Sequence, residues 1–394
     1  MRLLLFTGPG GAGTTTVAAA TALHAARRGV KTLLLPLDAD TVAPPLAAGA
    51  APTVVLAGSP GTVEVEPGLA VRPAGPLARA RRARAGLAAP LDRLAAALGI
   101  DPLDELELPA LPLLDELAAL LELRDAAAGG WDLVVVDAPV PLALRLAALP
   151  AGLQRAVGRL LPIERRMQWA AGDGSAAAPG RGLVLAAEQL VAELDGAREL
   201  LRAPGTTARL VVPPQRPALE AAARARTGLA LHGVAVDGVV TARLVPGGVD
   251  PWRADRARAE EAALADAAGL FAPLPVLRAA ERPVGPTNPA DLAGLGDELY
   301  GDDLPAAATP DPVPGQVVER DGDGYVLVLP LPGAAPGDVA LARRGEELLL
   351  DVAGERRALR LPSGLQRCEV TGAAVRGGAL RVTFRPDPAL WRGL

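Results

Sequence analysis

Residues 2–16 read RLLLFTGPGGAGTTT, a short apolar run followed by a glycine-rich turn and three threonines. The apolar run predicts a buried strand, and the segment Thr15–Arg28, closed by Gly29, predicts a helix. A second apolar strand is predicted at Lys31–Leu37. Strand, turn, helix and strand in this order form a βαβ unit, and apolar runs without alternation are typical of a parallel sheet covered on both faces.

The turn has the spacing G-x-x-x-x-G-T-T over Gly8–Thr15, which is close to that of a phosphate-binding P-loop. Glycines suit such a loop because backbone N–H groups turn toward phosphate oxygens, and the helix N-terminus behind them favours an anion. Thr15 stands at the position whose hydroxyl binds Mg²⁺. The position before it is lysine in the pattern and is Thr14 here.

The same glycines allow two other interpretations. Gly8, Gly10 and Gly13 also match the dinucleotide fingerprint G-x-G-x-x-G, with Asp38 at the end of the second strand as the ribose-binding acid. A glycine-rich turn with no ligand is the third interpretation. The loop alone does not separate them.

A further apolar strand, Leu133–Val136, ends in Asp137. In a P-loop protein a carboxylate at this place holds Mg²⁺ through water, because the carboxyl ends of parallel strands form the ligand-binding edge of the sheet. An acid after a strand is also common as a helix cap. Position alone leaves both roles open.

The remainder of the chain predicts two architectures. Further strands are predicted at Thr53–Leu56, Leu69–Arg72, Ala208–Val212 and Val239–Leu244, and helices at Leu87–Leu98, Leu113–Ala128, Leu183–Leu201, Pro217–Thr227 and Arg253–Ala268. Residues 74–130 and 142–205 are therefore predicted as helical insertions, with a loop at Gly172–Arg181. The predicted fold class is α/β, a P-loop NTPase with a mostly parallel sheet, over residues 1–300.

A composition break follows. Residues 301–316 are rich in proline and small residues, which predicts an extended linker. Short alternating segments with turn residues between them then predict a small all-β sandwich over residues 317–394.

Composition narrows the function classes. The net charge of −5 argues against nucleic acid as a partner. A single cysteine, Cys368, excludes an intrachain disulfide and a cysteine zinc site. No apolar run reaches the 18 or more residues of a membrane span, so a cytoplasmic protein is expected. Of the 40 basic residues only Lys31 is a lysine, and it begins the second strand, at the end of the sheet opposite the loop.

The motifs in this order resemble the arsenical pump-driving and tail-anchored-protein-targeting (ArsA-like) P-loop ATPase family. The matching stretches are residues 6–15, 33–38, 137–150 and 250–275. The C-terminal sandwich resembles an α-crystallin-type (small heat-shock protein) domain, through Leu331-Pro332-Gly333 and the A-x-x-x-G-x-L pattern of residues 374–380. Such a domain could bind unfolded segments along an edge strand or be docked as a structural appendage.

The resemblance implies a homodimer with two nucleotides at its interface, closed by ATP and opened by hydrolysis. It assigns ATP or ADP binding to Gly10, Gly11, Ala12, Gly13, Thr14, Thr15 and Thr16. It assigns Mg²⁺ to Thr15 and, through water, to Asp137, and it assigns positioning of the attacking water to Asp38. In targeting members the helical insertions hold an apolar segment of a membrane-protein client. The leucine stripe Leu113–Leu121 suits such a groove or a helix packed on its neighbours.

Several positions depart from the family pattern. The two loop lysines are replaced by Pro9 and Thr14, the adenine-binding asparagine by Ala242, and the second switch, Asp137–Ala143, is one residue shorter and has lost its polar groups. No arginine lies in the loop. We therefore predict weak ATP/Mg binding, very slow or absent hydrolysis, and a client-binding or chaperone-like role. The alternative is an active ATPase that targets membrane proteins or drives an anion pump.

Overall fold

The computed structural model describes residues 1–37, 61–72, 113–160, 162–164, 167, 179–305 and 315–389. The helices in these residues are α1 Thr14–Arg27, α2 Leu114–Ala128, α3 Val140–Leu160, α4 Pro179–Arg202, α5 Arg216–His232, α6 Pro251–Phe271, α7 Pro289–Tyr300 and α8 Ser363–Gln366. The strands of the α/β part are β1 Arg2–Thr7, β2 Thr32–Pro36, β3 Val63–Glu66, β4 Leu69–Val71, β5 Leu133–Asp137, β6 Thr206–Val212, β7 Ala235–Leu244 and β8 Val276–Ala280. The C-terminal strands are β9 Val317–Asp321, β10 Gly324–Pro330, β11 Val339–Arg344, β12 Glu347–Val352, β13 Glu355–Arg360, β14 Cys368–Arg376 and β15 Ala379–Pro386.

Contacts divide the chain into two compact units. The first consists of residues 1–7, 14–206 and 282–308, and the second of residues 8–13, 207–281 and 309–394.

The first unit contains five neighbouring strands in the order β3-β4-β2-β5-β1. Strands β1, β2 and β5 pair in parallel, as do β2 and β4, whereas β3 and β4 pair antiparallel. Every residue of β1, β2 and β5 is buried. This pattern is the one expected for a parallel sheet covered on both faces, because neither face of such strands meets water.

The helical insertions of the first unit pack on one another. The leucine stripe of α2 places Leu117, Leu120 and Leu121 along an apolar seam that Leu190 and Leu194 of α4 line from the other side. An ion pair between Arg124 and Glu193 joins the same two helices. The stripe is therefore packed against a neighbouring helix over these residues.

The second unit combines three parallel strands, β6-β7-β8, with helices α5 and α6 and with two antiparallel sheets. The sheets have the orders β14-β15-β10-β9 and β11-β12-β13. Their facing side chains form one core, which includes Leu327, Leu348, Val352, Val382 and Phe384, each fully buried. Alternating burial along β10, β12 and β15 produces this core, since successive side chains of a strand point to opposite faces.

Helix α5 is part of that core. Leu231 packs in it at 2% exposure, and the Arg357 guanidinium of β13 donates to the Leu231 carbonyl. The Thr227 hydroxyl lies 2.6 Å from the carbonyl oxygen of Pro332 in the loop after β10. We call these four residues the α5 junction.

The predicted fold class is confirmed: a mostly parallel α/β sheet with helices precedes an antiparallel β domain. One predicted loop, Gly172–Arg181, is wrong at its end, because α4 begins at Pro179 and proline is well suited to the first position of a helix. The predicted strand Thr53–Leu56, the helix Leu87–Leu98 and linker residues 306–314 lie outside the described residues. The predicted domain boundaries stay a prediction. Within the described part of the chain, no helix is long and apolar enough to cross a membrane.

Candidate functional site

The glycine loop, residues 8–16, connects β1 to the first turn of α1. Gly11 and Gly13 have φ values of 77° and 88°, in the left-handed region that side chains disfavour. A Cβ placed on Gly10, Gly11 or Gly13 would meet nothing within 4 Å. The loop thus has the left-handed glycines that turn N–H groups inward and an open space beside its backbone, as a phosphate cradle needs.

Thr15 and Asp137 meet at the start of α1. The Thr15 hydroxyl donates to Oδ2 of Asp137 at 2.6 Å, and Asp137 is buried at 4% exposure. Strand register brings Asp137 beside Phe6, so the carboxylate stands where β1 ends. Helix α3 begins three residues later, at Val140, so Asp137 is not its N-cap. The structure thus brings Asp137 together with Thr15, and its role in Mg²⁺ binding stays a prediction.

A third polar group directly precedes the glycine loop in sequence. Thr7, the last residue of β1, is fully buried, and its hydroxyl has no hydrogen-bond partner among the described residues. Buried hydroxyls are usually satisfied, and one left open at the entry to a glycine loop is consistent with a site that completes its bonding with water or ligand.

Taken separately, the loop glycines suit a phosphate, and Thr15 with Asp137 suits a Mg²⁺ ion. The loop N–H groups would contact phosphate oxygens, Thr15 would bind the ion directly and Asp137 through water. The ion would supply positive charge against the phosphates. The lysine that adds a second positive charge in P-loop proteins has no counterpart at Thr14, which lies half-buried in the first turn of α1.

Lys31, the one lysine of the chain, is placed elsewhere. Its Nζ lies 4.9 Å from the centroid of the Trp131 ring. Both residues precede their strands, β2 and β5, whereas Asp137 ends β5. The five residues of β2, roughly 17 Å of strand, therefore separate Lys31 from the edge of the sheet at which Asp137 lies.

Sequence reasoning missed one cation at the loop. Arg243, near the end of β7, donates from Nη1 to the Gly11 carbonyl oxygen at 2.9 Å. Its Nε and Nη2 contact the Glu281 carboxylate at 2.9 and 3.3 Å. Donation of these hydrogen bonds to the Glu281 carboxylate raises the pKa of the guanidinium. A signal was available, because Arg243 follows Ala242, the position that the resemblance assigns to adenine contact.

The other predicted site residues are distributed as follows. Gly10 and Gly11 are exposed, Ala12 is buried, and Gly13 and Thr16 are half-buried. Ala242 is buried at 4% exposure and has no polar side-chain atom. Asp38 lies outside the described residues.

Comparison with known protein families gives two matches, one to the α/β part of the chain and one to the C-terminal β domain. A profile described as anion-transporting ATPase matches residues 1–283, and one described as an HSP20-like domain found in ArsA matches residues 322–384. The first match covers the glycine loop, so the dinucleotide interpretation gains no support.

Curated relatives match the chain over nearly all of its residues. The chain is 40% identical over 412 residues to an uncharacterized protein of Streptomyces coelicolor, covering 99% of each. It is 31% identical over 425 residues to a protein of Mycobacterium tuberculosis, covering 99% of this chain and 97% of the relative. It is 27% identical over 399 residues to a Chlorobaculum tepidum protein named as an arsenical pump-driving ATPase, covering 98% and 96%.

Proposed function

Because the chain belongs to the ArsA anion-transporting ATPase family and carries that family's HSP20-like domain, we propose that it binds ATP and ADP weakly with Mg²⁺ and hydrolyses ATP very slowly or not at all. The observation that carries the proposal is the hydrogen bond between Thr15 and Asp137 beside a loop whose lysine position is Thr14. The two residues proposed to hold Mg²⁺ are present, and the lysine is absent.

The missing lysine affects the transition state more than binding. During phosphoryl transfer, charge spreads over the oxygens of the phosphoryl group, and catalysis depends on positive groups fixed around it. Loop N–H groups and the dipole of α1 act on the nucleotide already in the ground state. Binding should therefore survive in weakened form, whereas the rate loses a contribution of several kcal/mol.

Thermal unfolding with and without nucleotide tests the binding part. Millimolar Mg-ADP or Mg-ATP should raise Tm, since a ligand that binds only the folded state stabilises it. EDTA should remove the effect, and Asp137→Asn should weaken it. Asp132→Asn is the matched control, because Asp132 precedes the same strand at its other end, where its carboxylate accepts from the Lys31 N–H. No rise in Tm with either nucleotide would contradict the proposal.

Phosphate release by the purified protein tests the catalytic part. We expect no release above that of a protein-free blank. Turnover that is lost in Asp38→Asn would contradict the proposed degeneracy and would favour the active alternative, a targeting or pump-driving ATPase.

A client-binding role is the second part of the proposal, and the helical insertion offers a place for it. The α2 stripe is packed against α4, but Leu160, Ile163 and Met167 are exposed by 70%, 55% and 65% at and after the end of α3. Exposed apolar side chains in close sequence are typical of surfaces that bind apolar partners. We assign the contact with an apolar membrane-protein segment to this stretch, in a homodimer of the kind that the family resemblance implies.

Site-specific crosslinking tests the client role. A photoreactive residue at Met167 should crosslink to a transmembrane peptide and not to a soluble peptide of equal length. The same residue at Leu349, exposed by 37% on the HSP20-like domain, is the control. Equal crosslinking at both positions would contradict the assignment, and sedimentation with and without Mg-ATP would report the dimer.

The α5 junction bears on the HSP20-like domain. Leu231 fills part of its core, and Thr227 and Arg357 bond across the boundary. This favours a docked structural part over an independent client-binding module.

A further inference from the structure

Strand β7 contains a bulge at its site end. Thr241 pairs with Arg278 and Leu244 with Ala280, so Ala242 and Arg243 together face one residue of β8. Arg243 has a φ of 66°, which is uncommon for a residue with a side chain. Bulges next to sites change the direction of a side chain, and a strained backbone is maintained only where its surroundings hold it.

The bulge directs Arg243 to a single backbone group of the glycine loop. Nη1 donates to the Gly11 carbonyl oxygen at 2.9 Å, and the Ala12 N–H of the same peptide unit donates to the Pro9 carbonyl at 3.1 Å. The two ends of one peptide plane are therefore both fixed. This peptide follows Gly11, which has a left-handed conformation. Hydrogen bonds at both ends of the peptide matter here, because glycine has more conformational freedom to lose than any other residue.

Glu281 fixes the arginine in turn. Its carboxylate accepts two hydrogen bonds, from Nε and Nη2 of Arg243. Its backbone N–H donates to the Leu244 carbonyl at 2.7 Å. The carboxylate also balances the positive charge of the guanidinium. Arg243 is therefore suited to hold the loop in shape and is a poor replacement for the unpaired charge of the missing lysine.

We propose that Arg243, oriented by Glu281, is the positioning residue of the glycine loop, holding the Gly11 peptide so that the loop is ordered before a phosphate-bearing ligand arrives. Its effect on affinity rests on the proposed nucleotide binding, because a loop that is already ordered loses less entropy on binding. Its effect on the loop itself does not depend on any ligand.

Three variants separate the positioning role of Arg243 from a general surface effect. Arg243→Ala removes the donor and keeps the bulge backbone. Arg278→Ala is the matched control, since Arg278 is an exposed arginine on the neighbouring strand, paired with Glu261 at 3.0 Å. Arg243→Lys keeps a donor for the Gly11 carbonyl and should recover part of the wild-type behaviour.

Hydrogen exchange of the nucleotide-free protein is the deciding measurement. Peptides covering residues 7–17 should exchange about 3- to 10-fold faster in Arg243→Ala than in the wild-type protein, which is the range for loss of one hydrogen bond. Their exchange rate should be unchanged in Arg278→Ala. Unchanged exchange of the loop in Arg243→Ala overturns the proposal. This readout stands even where the wild-type protein binds no nucleotide and the proposed function has failed.

Calorimetry with Mg-ADP and with inorganic tripolyphosphate tests the consequence. Both ligands should bind about 3- to 10-fold more weakly to Arg243→Ala, because the loop contacts their shared phosphates. Faster loop exchange with unchanged affinity for both overturns the positioning role. Weaker binding with unchanged loop exchange also overturns it, since Arg243 would then contact the nucleotide directly.

Discussion

The glycine loop and the α5 junction are held in opposite ways. At the loop, the Cβ positions of Gly10, Gly11 and Gly13 face empty space, and the backbone is held by single hydrogen bonds such as the one from Arg243. At the junction, Leu231 is 2% exposed within an apolar core. One region is open and held by hydrogen bonds, and the other is closed and mostly apolar.

Because of this difference, we expect substitutions in the loop to affect ligand binding and substitutions at the junction to affect stability. Little of the folding free energy depends on loop side chains, so lysine can be exchanged for Pro9 and Thr14 without loss of the fold. What changes is the charge that the loop offers to a ligand. A change at the junction would act on burial, which scales with apolar area, and would leave the charge at the loop untouched.

The largest expected effect is at the junction. Leu231→Ala should lower the free energy of unfolding by about 2–4 kcal/mol, because it removes buried methyl groups and leaves a cavity in the core. Urea unfolding followed by circular dichroism measures it. Leu349→Ala, on β12 and exposed by 37%, should cost less than about 1 kcal/mol. Equal losses would show that α5 does not contribute to the sandwich core.

The second effect is at the loop and acts on the ligand alone. Thr14→Lys restores the missing charge and should tighten Mg-ATP binding about 10- to 100-fold, as expected for a charge-assisted hydrogen bond to phosphate. Unfolding without nucleotide should change little. Gln189→Lys adds the same charge at an exposed position of α4, outside the residues assigned to the nucleotide, and should have a much smaller effect. No gain in Thr14→Lys would mean that the pocket is closed for another reason.

The sequence predicts the loop far better than its surroundings. Strand β1, the glycines and α1 follow from local patterns, since apolar runs, glycine spacing and helix periodicity act over a few residues. Thr15 and Asp137 follow as well, because parallel strands bring their carboxyl ends together. The contact between Arg243 and Gly11 joins residues 232 positions apart and depends on a one-residue bulge, which no local pattern reveals.

Other omissions have different causes. Helix α7 was foreseeable, because Asn288 caps its N–H groups, Pro289 occupies the first turn and Gly301 follows its end. Strand β9 was not, since all five of its residues are exposed and no alternation of burial marks it. The role of Asp38 stays a prediction.

A third prediction asks whether the polar contact at the junction matters as much as the apolar one. Thr227→Val keeps the shape of the side chain but leaves the Pro332 carbonyl without its partner at 2.6 Å, so it should cost about 1 kcal/mol. Thr371→Val is the control, because that exposed hydroxyl lies 3.3 Å from the Thr383 carbonyl, where water can replace it. A loss as large as that of Leu231→Ala would show that hydrogen bonding dominates the junction.

The smallest expected effect is on the pH dependence of stability. It comes from His24, which is buried like the junction and polar like the loop. His24 of α1 is 1% exposed, with Nε2 3.1 Å from the Asp303 carbonyl and Nδ1 3.0 Å from Arg28 and 3.2 Å from Asp297. Burial lowers the pKa of His24 below its usual 6.5. The hydrogen bond to the Asp303 carbonyl opposes this shift of the pKa, Arg28 adds to it, and the carboxylate of Asp297 opposes it as well.

Acid should therefore destabilise the protein through His24. Between the folded pKa and 6.5 the unfolded chain binds more protons than the folded one, so stability falls as pH drops below about 6.5. Thermal unfolding between pH 7.5 and pH 5 should show this fall, and His24→Gln should flatten it by a few degrees at most. His232→Gln is the control, because it removes the other histidine of the chain and leaves His24 in place. If His24→Gln leaves the pH profile unchanged, protonation of the buried side chain near Asp297 and Asp303 does not lower the stability of the protein in acid. Polarity, and not burial, would then be the property that distinguishes the loop from the junction.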